Sequence, residues 1–296
     1  MISKKTLYRL MAAVMTVSVL FVCNACVHVP AGSPDGNTHV SVMKEGEMTE
    51  RQKEILTHAG LPADYDKLTD SQKSAITSIE DMLTWLEDKY QQEFCYVSYV
   101  PGGTLEKEHL EAYPAESSEA DTVTVYRTYE DGSYQYEDNF GEVLIRPVYE
   151  EWVSGFVQQY LPVEGVKIYT EIKTIDEKLD KIISENVLEK GDAGAPLEED
   201  AAEVVTEMLP GRVSAVTYLY MDSTVCGSQY DRFLDAVPGW LSENCRGVPA
   251  GLWLRMAGTA EWQEIDRSNY EDKIREDIYT EKADCAISGS GKVTVN

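Results

Sequence analysis

Metal, nucleophilic or acid–base chemistry in this 296-residue chain would have to come from four histidines, six cysteines and 52 carboxylates. The histidines do not cooperate. His28 and His39 lie in a stretch marked by Pro and Gly, while His58 and His109 stand alone. None has the i, i+4 spacing of a helical zinc pair, and there is no H-E-x-x-H run. His58 falls in a short helix and His109 in a loop between charged residues. Neither has a nucleophile motif nearby, so both read as solvent-facing polar side chains. Cys95, Cys226, Cys245 and Cys285 are irregularly spaced, without a Cys-x-x-Cys, which excludes a zinc ribbon or a dithiol redox motif. One pair is a candidate disulfide. Cys226 and Cys245 bracket a helical stretch broken at Pro238-Gly239, and a fold-back there would bring them together.

Two near-motifs fail on their required residues. Ser288-Gly289-Ser290-Gly291-Lys292 resembles a phosphate loop, but Ala286 stands where Gly is needed, Val293 stands where Ser or Thr is needed, and no helix follows. Residues 131–142 place oxygen ligands at calcium-loop spacing, but Tyr136 replaces the essential Gly and the stretch alternates like a strand. Paired carboxylates for glycoside hydrolysis are too numerous to single out by sequence. Among the rings able to stack on a sugar, Trp152 and Trp240 belong to helix core faces, while Trp262 and Tyr126 read as exposed. No catalytic, cofactor-binding or metal-ligating residue is assigned.

The N-terminus carries the most specific signal. Lys4, Lys5 and Arg9 precede the apolar run 10–22, which is too short to span a bilayer. Val22-Cys23-Asn24-Ala25-Cys26 follows. This junction resembles the lipobox of bacterial lipoproteins, which implies a signal peptide over 1–25 and a diacylglyceryl anchor on Cys26. Ala25 fits the small residue before the cut, but Cys23 stands where Leu is usual. Cys23 is the rival anchor, with Leu20 three residues before it and bulky Val22 at the cut. Plain secretion is the alternative, since Cys23-x-Ala25 and Val29-Pro30-Ala31 both suit ordinary cleavage. Residues 26–47 read as a flexible spacer.

Charge narrows the partners. The signal holds three of the 26 basic residues and no acidic one, leaving 23 against 52 and a formal charge of −29 for residues 26–296. Such a surface repels nucleic acid, so a nucleic-acid role is excluded. At 43% hydrophobic, with 18 Tyr and 5 Trp, the chain can still build a core.

Periodicity supplies the elements. MTERQKEIL (48–56) and LTDSQKSAI (68–76) repeat one phrase: an apolar residue, Thr, an acid, and Gln three after the Thr. That is a capping box written twice, predicting a helical hairpin whose first helix stops at Gly60-Leu61-Pro62. FCYVSYV (94–100) reads as a strand. Residues 121–138 read as a hairpin with Asp131-Gly132 in a type I′ turn, Tyr129 facing Tyr134 and Arg127 facing Tyr136. One side of it, with Val123 and Val125, is expected to be buried and the other wet. An amphipathic helix is predicted from about Pro147 to Leu161, and a strand at 166–172. Residues 173–196 read as a weak helix and a loop, the candidate boundary between lobes 48–174 and 175–296. Beyond it the pattern alternates: helix 197–209, strand 212–221, kinked helix 229–244, strand 250–257. The last thirty residues are polar, with 287–296 either an edge strand or a loose end. The expected class is α+β: a helical hairpin, a hairpin-containing antiparallel sheet packed by amphipathic helices, then an alternating α/β lobe.

The T-x-x-Q-K phrases, LPADYDKLT (61–69) and WLEDKY…FCYVSYV (85–100) resemble functionally uncharacterised lipoproteins of Gram-positive gut bacteria. That resemblance implies an address and no activity. The expectation is a non-catalytic ligand- or partner-binding lipoprotein on the outer face of the cell membrane, with no cofactor. A carboxylate-dependent envelope hydrolase and the solute-binding lipoprotein of a transporter are the alternatives; the latter needs two similar lobes around a cleft.

Overall fold

The computed structural model describes residues 48–104, 106–174, 207 and 209–296. The signal, Cys23, Cys26, the spacer and nearly all of the expected weak helix and loop of 173–196 and of the expected helix of 197–209 lie outside them. Among the described residues no helix is long and apolar enough to cross a membrane. The chain divides into two compact units, residues 1–76 and 77–296.

The described part of the first unit holds α1 (Glu50–His58), a tight turn (Tyr65–Lys67) and the first turns of α2 (Asp70–Tyr90), which continues into the second unit. Both capping boxes form. Thr49 Oγ1 accepts from the Gln52 N–H at 3.1 Å, and the Thr49 N–H donates to Gln52 Oε1 at 2.9 Å. Thr69 and Gln72 repeat the exchange at 3.3 and 2.9 Å. Each box therefore satisfies two N–H groups that would otherwise have no partner at a helix start. At the other end of α1, Gly60 takes φ +69°, its N–H reaches Thr57 O, and the Leu61 N–H reaches Leu56 O. These paired bonds close the helix because glycine tolerates the left-handed turn.

The second unit is α+β, built on two sheets. The first is an antiparallel meander of β1 (Phe94–Val100), β2 (Glu108–Pro114), β3 (Val123–Glu130) and β4 (Ser133–Asp138), side by side in chain order. Its hairpin has the expected register, Tyr129 opposite Tyr134 and Arg127 opposite Tyr136. Asp131 and Gly132 have φ of +50° and +86°, the positive pair a type I′ turn requires. His109 is not in a loop; it lies in β2. Leu110 and Ala112 alternate inward there, opposite Val125 and Val123, so burying those four residues makes a strand of a segment that reads as charged.

Helix α3 (Phe140–Val157) starts seven residues before Pro147. Phe140 decides this: it packs edge-on against Tyr90 at 4.6 Å and Phe94 at 5.4 Å, and its N–H donates to Asp138 Oδ1. Pro147 sits inside the helix, where its missing N–H leaves the Val143 carbonyl without a helical donor.

The second sheet runs β5 (Val166–Thr174), β6 (Ser214–Asp222), β7 (Ala250–Ala257), β8 (Tyr279–Ile287) and β9 (Val293–Val295). Only β6 and β7 are parallel, and they are joined by α4 (Ser223–Cys226) and α5 (Tyr230–Asn244). Residues 166–174 thus belong with the strands after 212 rather than with the hairpin before them. Leu219, Met221, Leu252, Leu254 and Met256 line one face of this sheet. Phe156 of α3 stacks on Trp240 of α5 at 5.0 Å and meets Phe233 at 5.5 Å, joining the two helices. On the other face Tyr218 and Tyr220 are buried with Ile265 and Tyr270 from the segment that carries α6 (Thr259–Gln263) and α7 (Tyr270–Lys273). β8 was hidden by its polar residues, yet Tyr279, Ala283, Cys285 and Ile287 point inward.

Candidate functional site

The face of the first sheet that carries Val123 and Val125 is turned to α2 and is closed near the strand ends that meet Phe94 and Phe140. It is open at the hairpin tip. Tyr129 and Tyr134 belong to this inner face by register, yet they are 65% and 49% exposed. The two rings meet edge-on at 5.1 Å. The expected division into a buried side and a wet side therefore stops two residues short of the turn. Tyr126, on the opposite face, is also exposed and tilts against His109 at 5.7 Å. A packed surface seldom leaves several large rings so uncovered on one short hairpin.

Beneath the tip lies a charge network. Arg127 is nearly inaccessible, with 5% of its side chain exposed. Its Nε donates to Glu108 Oε2 at 3.0 Å and its Nη2 to Glu108 Oε1 at 2.7 Å, a bidentate fork. Nη2 also reaches Ser78 Oγ on α2, and Nη1 stands 3.5 Å from Asp81 Oδ2. The guanidinium lies over the Tyr134 ring at 4.2 Å. Tyr99 donates to Glu108 Oε1 at 2.6 Å, and burial together with that carboxylate pushes its phenol up to about 12. Next along the inner face, Tyr136 stacks on Trp85 at 5.1 Å, and Lys89 bonds Asp138 at 2.6 Å. One continuous row thus runs from the helix to the tip: Trp85, Tyr136, Arg127, Tyr134, Tyr129.

The two carboxylates beside Arg127 differ. Burial acts to raise Glu108, but the bonds from Arg127 and Tyr99 outweigh it and hold the carboxyl below its ordinary range. Burial does raise Asp81, against the pull of Arg127. A split pair of this kind is what acid–base catalysis uses. Here, however, both Glu108 oxygens are engaged by Arg127 and Tyr99. Arg127 ties the sheet to α2 through Ser78 and Asp81 and backs the Tyr134 ring from below. What the arrangement offers a ligand is a pair of exposed rings on the inner face, with Glu130 and Glu137 exposed on the opposite face and Asp131 exposed in the turn between them.

Other sequence-selected residues fall elsewhere. Trp262 is not an exposed ring: its indole donates to Tyr220 O at 3.0 Å and Lys167 sits 4.4 Å from its centroid. Among the described residues Cys226 and Cys245 are not bridged; they and Cys285 are free thiols. The reason is α5. It continues through Pro238 without folding back, and its 15 residues separate the ends by about 22 Å at 1.5 Å per residue. Cys226 donates to Gly165 O at 3.4 Å, while Cys245 interacts with the Tyr149 hydroxyl. Sequence reading paired Arg127 with Tyr136 but missed its carboxylates, because Glu108 and Asp81 come from other elements. Cys26 lies outside the described residues.

No protein-family model matches the chain, and no curated protein does. Among solved structures, it is similar to a crystal structure of a DUF5037 family protein from Ruminococcus gnavus. The identity is 15% and the TM-score 0.41, over 74% of this chain and 95% of that one.

Proposed function

We propose that this chain is a non-catalytic envelope lipoprotein, anchored to the outer face of the cell membrane through Cys26, that binds a partner through the hairpin of β3 and β4. The observation that carries the binding reading is the exposure of Tyr129 and Tyr134, two large rings in edge-on contact, with Tyr134 lying over a neutralised arginine. Aromatic anchors with a stiff backing lose little freedom on binding, which is why such rings dominate recognition surfaces. The anchor rests on the Ala25-Cys26 junction after a short apolar run.

Two measurements test the reading. Immobilised protein should retain a component of solubilised envelope, and a Tyr129→Ser/Tyr134→Ser variant of unchanged stability should not. Equal retention by both would remove the hairpin from the function. Fractionation tests the address: Cys26→Ser should release the chain from membranes. A variant still bound, with Cys23→Ser released, would move the anchor. Wild type found in the medium would mean plain secretion.

The hydrolase alternative has one observation in its favour, the opposite shifts of Asp81 and Glu108. The engagement of both Glu108 oxygens weighs against it. The transporter alternative needs two similar lobes, and an all-antiparallel meander beside a five-stranded mixed sheet does not supply them among the described residues.

A further inference from the structure

β4 is an edge. Among the described residues nothing pairs with its outer side, and Ser133, Tyr134, Gln135 and Glu137 are all exposed. The two-residue turn makes Glu130 and Ser133 a hydrogen-bonded pair, so by alternation Ser133, Gln135 and Glu137 turn their backbone groups toward β3. Tyr134 and Tyr136 then turn theirs outward, an open row of donors and acceptors. Native edges are usually blunted by lysine, proline or a bulge. Residues 133–138 contain neither lysine nor proline, and their pairing with β3 runs without a register shift.

The charge around this edge has one sign. Residues 128–138 hold Glu130, Asp131, Glu137 and Asp138 and no basic residue. Asp138 is taken by Lys89, but among the described residues no basic side chain pairs with Glu130, Asp131 or Glu137. By register Glu130 and Glu137 lie on the outer face, and Tyr134 and Tyr136 on the inner one. A strand laid along β4 would alternate its own side chains between those surroundings.

We propose that the open edge of β4 takes up an extended, basic segment of a partner protein as a fifth strand, its cationic side chains beside Glu130 and Glu137 and its apolar ones beside Tyr134 and Tyr136. The proposal rests on the reading of this hairpin as the binding surface and adds the chemistry of the occupant. Main-chain bonds supply the attachment and the two faces supply selectivity, as in other cases of strand addition.

The test uses the full chain and three labelled peptides of about ten residues. The first alternates Lys and Val. The second replaces every Lys by Glu. The third keeps the first sequence but methylates alternate backbone nitrogens, which keeps the charge and removes the donors. The first should bind, slow hydrogen exchange at the Tyr134 and Tyr136 amides, and weaken several-fold between about 0.05 and 0.5 M salt. The second should not bind. The third should bind about tenfold more weakly or worse, as expected from losing several main-chain bonds. Tyr134→Pro should weaken the first peptide beyond the effect of Tyr134→Ala, because it also removes an outward N–H. Should the proline disturb the hairpin itself, the exchange data on wild type still decide. Equal binding of the methylated peptide, or binding without protection at those amides, would reduce the effect to adsorption on an acidic surface and overturn the proposal. If no peptide binds while envelope capture still depends on Tyr129 and Tyr134, the basic strand is wrong and the binding surface stands. If that capture is absent too, both fall.

Discussion

The two sheets use the same materials in opposite ways. Each combines tyrosines, carboxylates and a buried or half-buried arginine. In the five-stranded sheet the tyrosines are covered: Tyr169 stacks on Tyr270 at 4.9 Å, Tyr218 meets Tyr270 at 5.2 Å, and Arg267 forks onto Glu150 beside them. In the four-stranded sheet the arginine is sealed and the outermost tyrosines are open. The difference is one of coverage. Residues 258–278 supply Ile265 and Tyr270 over the first set, whereas Tyr129 and Tyr134 stay 65% and 49% exposed at the tip. A ring's fate depends on what packs above it, which local sequence does not specify.

That contrast can be broken most forcefully at Arg127. Arg127→Ala leaves Glu108 buried without its cation, and should cost about 3–5 kcal/mol in urea unfolding. Arg267→Ala also uncovers a buried carboxylate, but Arg267 is itself one-third exposed and Glu150 keeps the Thr170 N–H as a donor, so it should cost less, about 1–2 kcal/mol. Equal losses would mean that the two forks play the same part.

Next in size is the turn. Gly132 has open space around it, so a side chain there meets only backbone strain. Gly132→Val should destabilise by about 1–3 kcal/mol and Gly132→Asn by much less, since asparagine visits positive φ readily. Matching midpoints in denaturant would contradict the turn.

A smaller effect separates the tyrosines. Tyr218→Phe removes a hydroxyl bonded to Glu171 and should cost about 1 kcal/mol. Tyr134→Phe should stay within about 0.5 kcal/mol. A larger loss at Tyr134 would show that the tip is part of the core.

The smallest effect is the response to acid. Glu108 is held below its ordinary 4.5, so its contribution is present at neutral pH and fades as pH falls through the folded value. Asp81 is raised above its ordinary 3.8, so its contribution is present in acid and fades as pH rises through the folded value. The two oppose each other. Glu108→Gln should remove the acid loss from this cluster, and Asp81→Asn should steepen it, as read from unfolding midpoints between about pH 3 and 6.

Local chemistry was the legible part of the fold. The capping boxes at Thr49 and Thr69, the Asp131-Gly132 turn, the hairpin register and the strands at 214–222 and 250–257 follow from patterns only a few residues long. Misreadings arose where distant packing overrode the pattern. Phe140 pulled a helix start seven residues upstream, Leu110 and Ala112 made a strand of a charged segment, and α5 continued through Pro238 without folding back. The candidate site was half legible: Arg127 opposite Tyr136 was readable, but the exposure of Tyr129 and Tyr134 was not.

Strand order has a consequence for how the molecule assembles. Each pairing in the meander joins neighbours in the chain, so β1 to β4 have short loops to close and can pair quickly. The other sheet must bring β5 to β6 across residues 175–213 and β6 to β7 across two helices, a slower search. During synthesis the meander also emerges first. The unpaired edge of β4 is therefore available to a passing strand before β8 and β9 exist, and the like charges of Glu130, Asp131 and Glu137 then act as the guard against pairing with a second nascent copy.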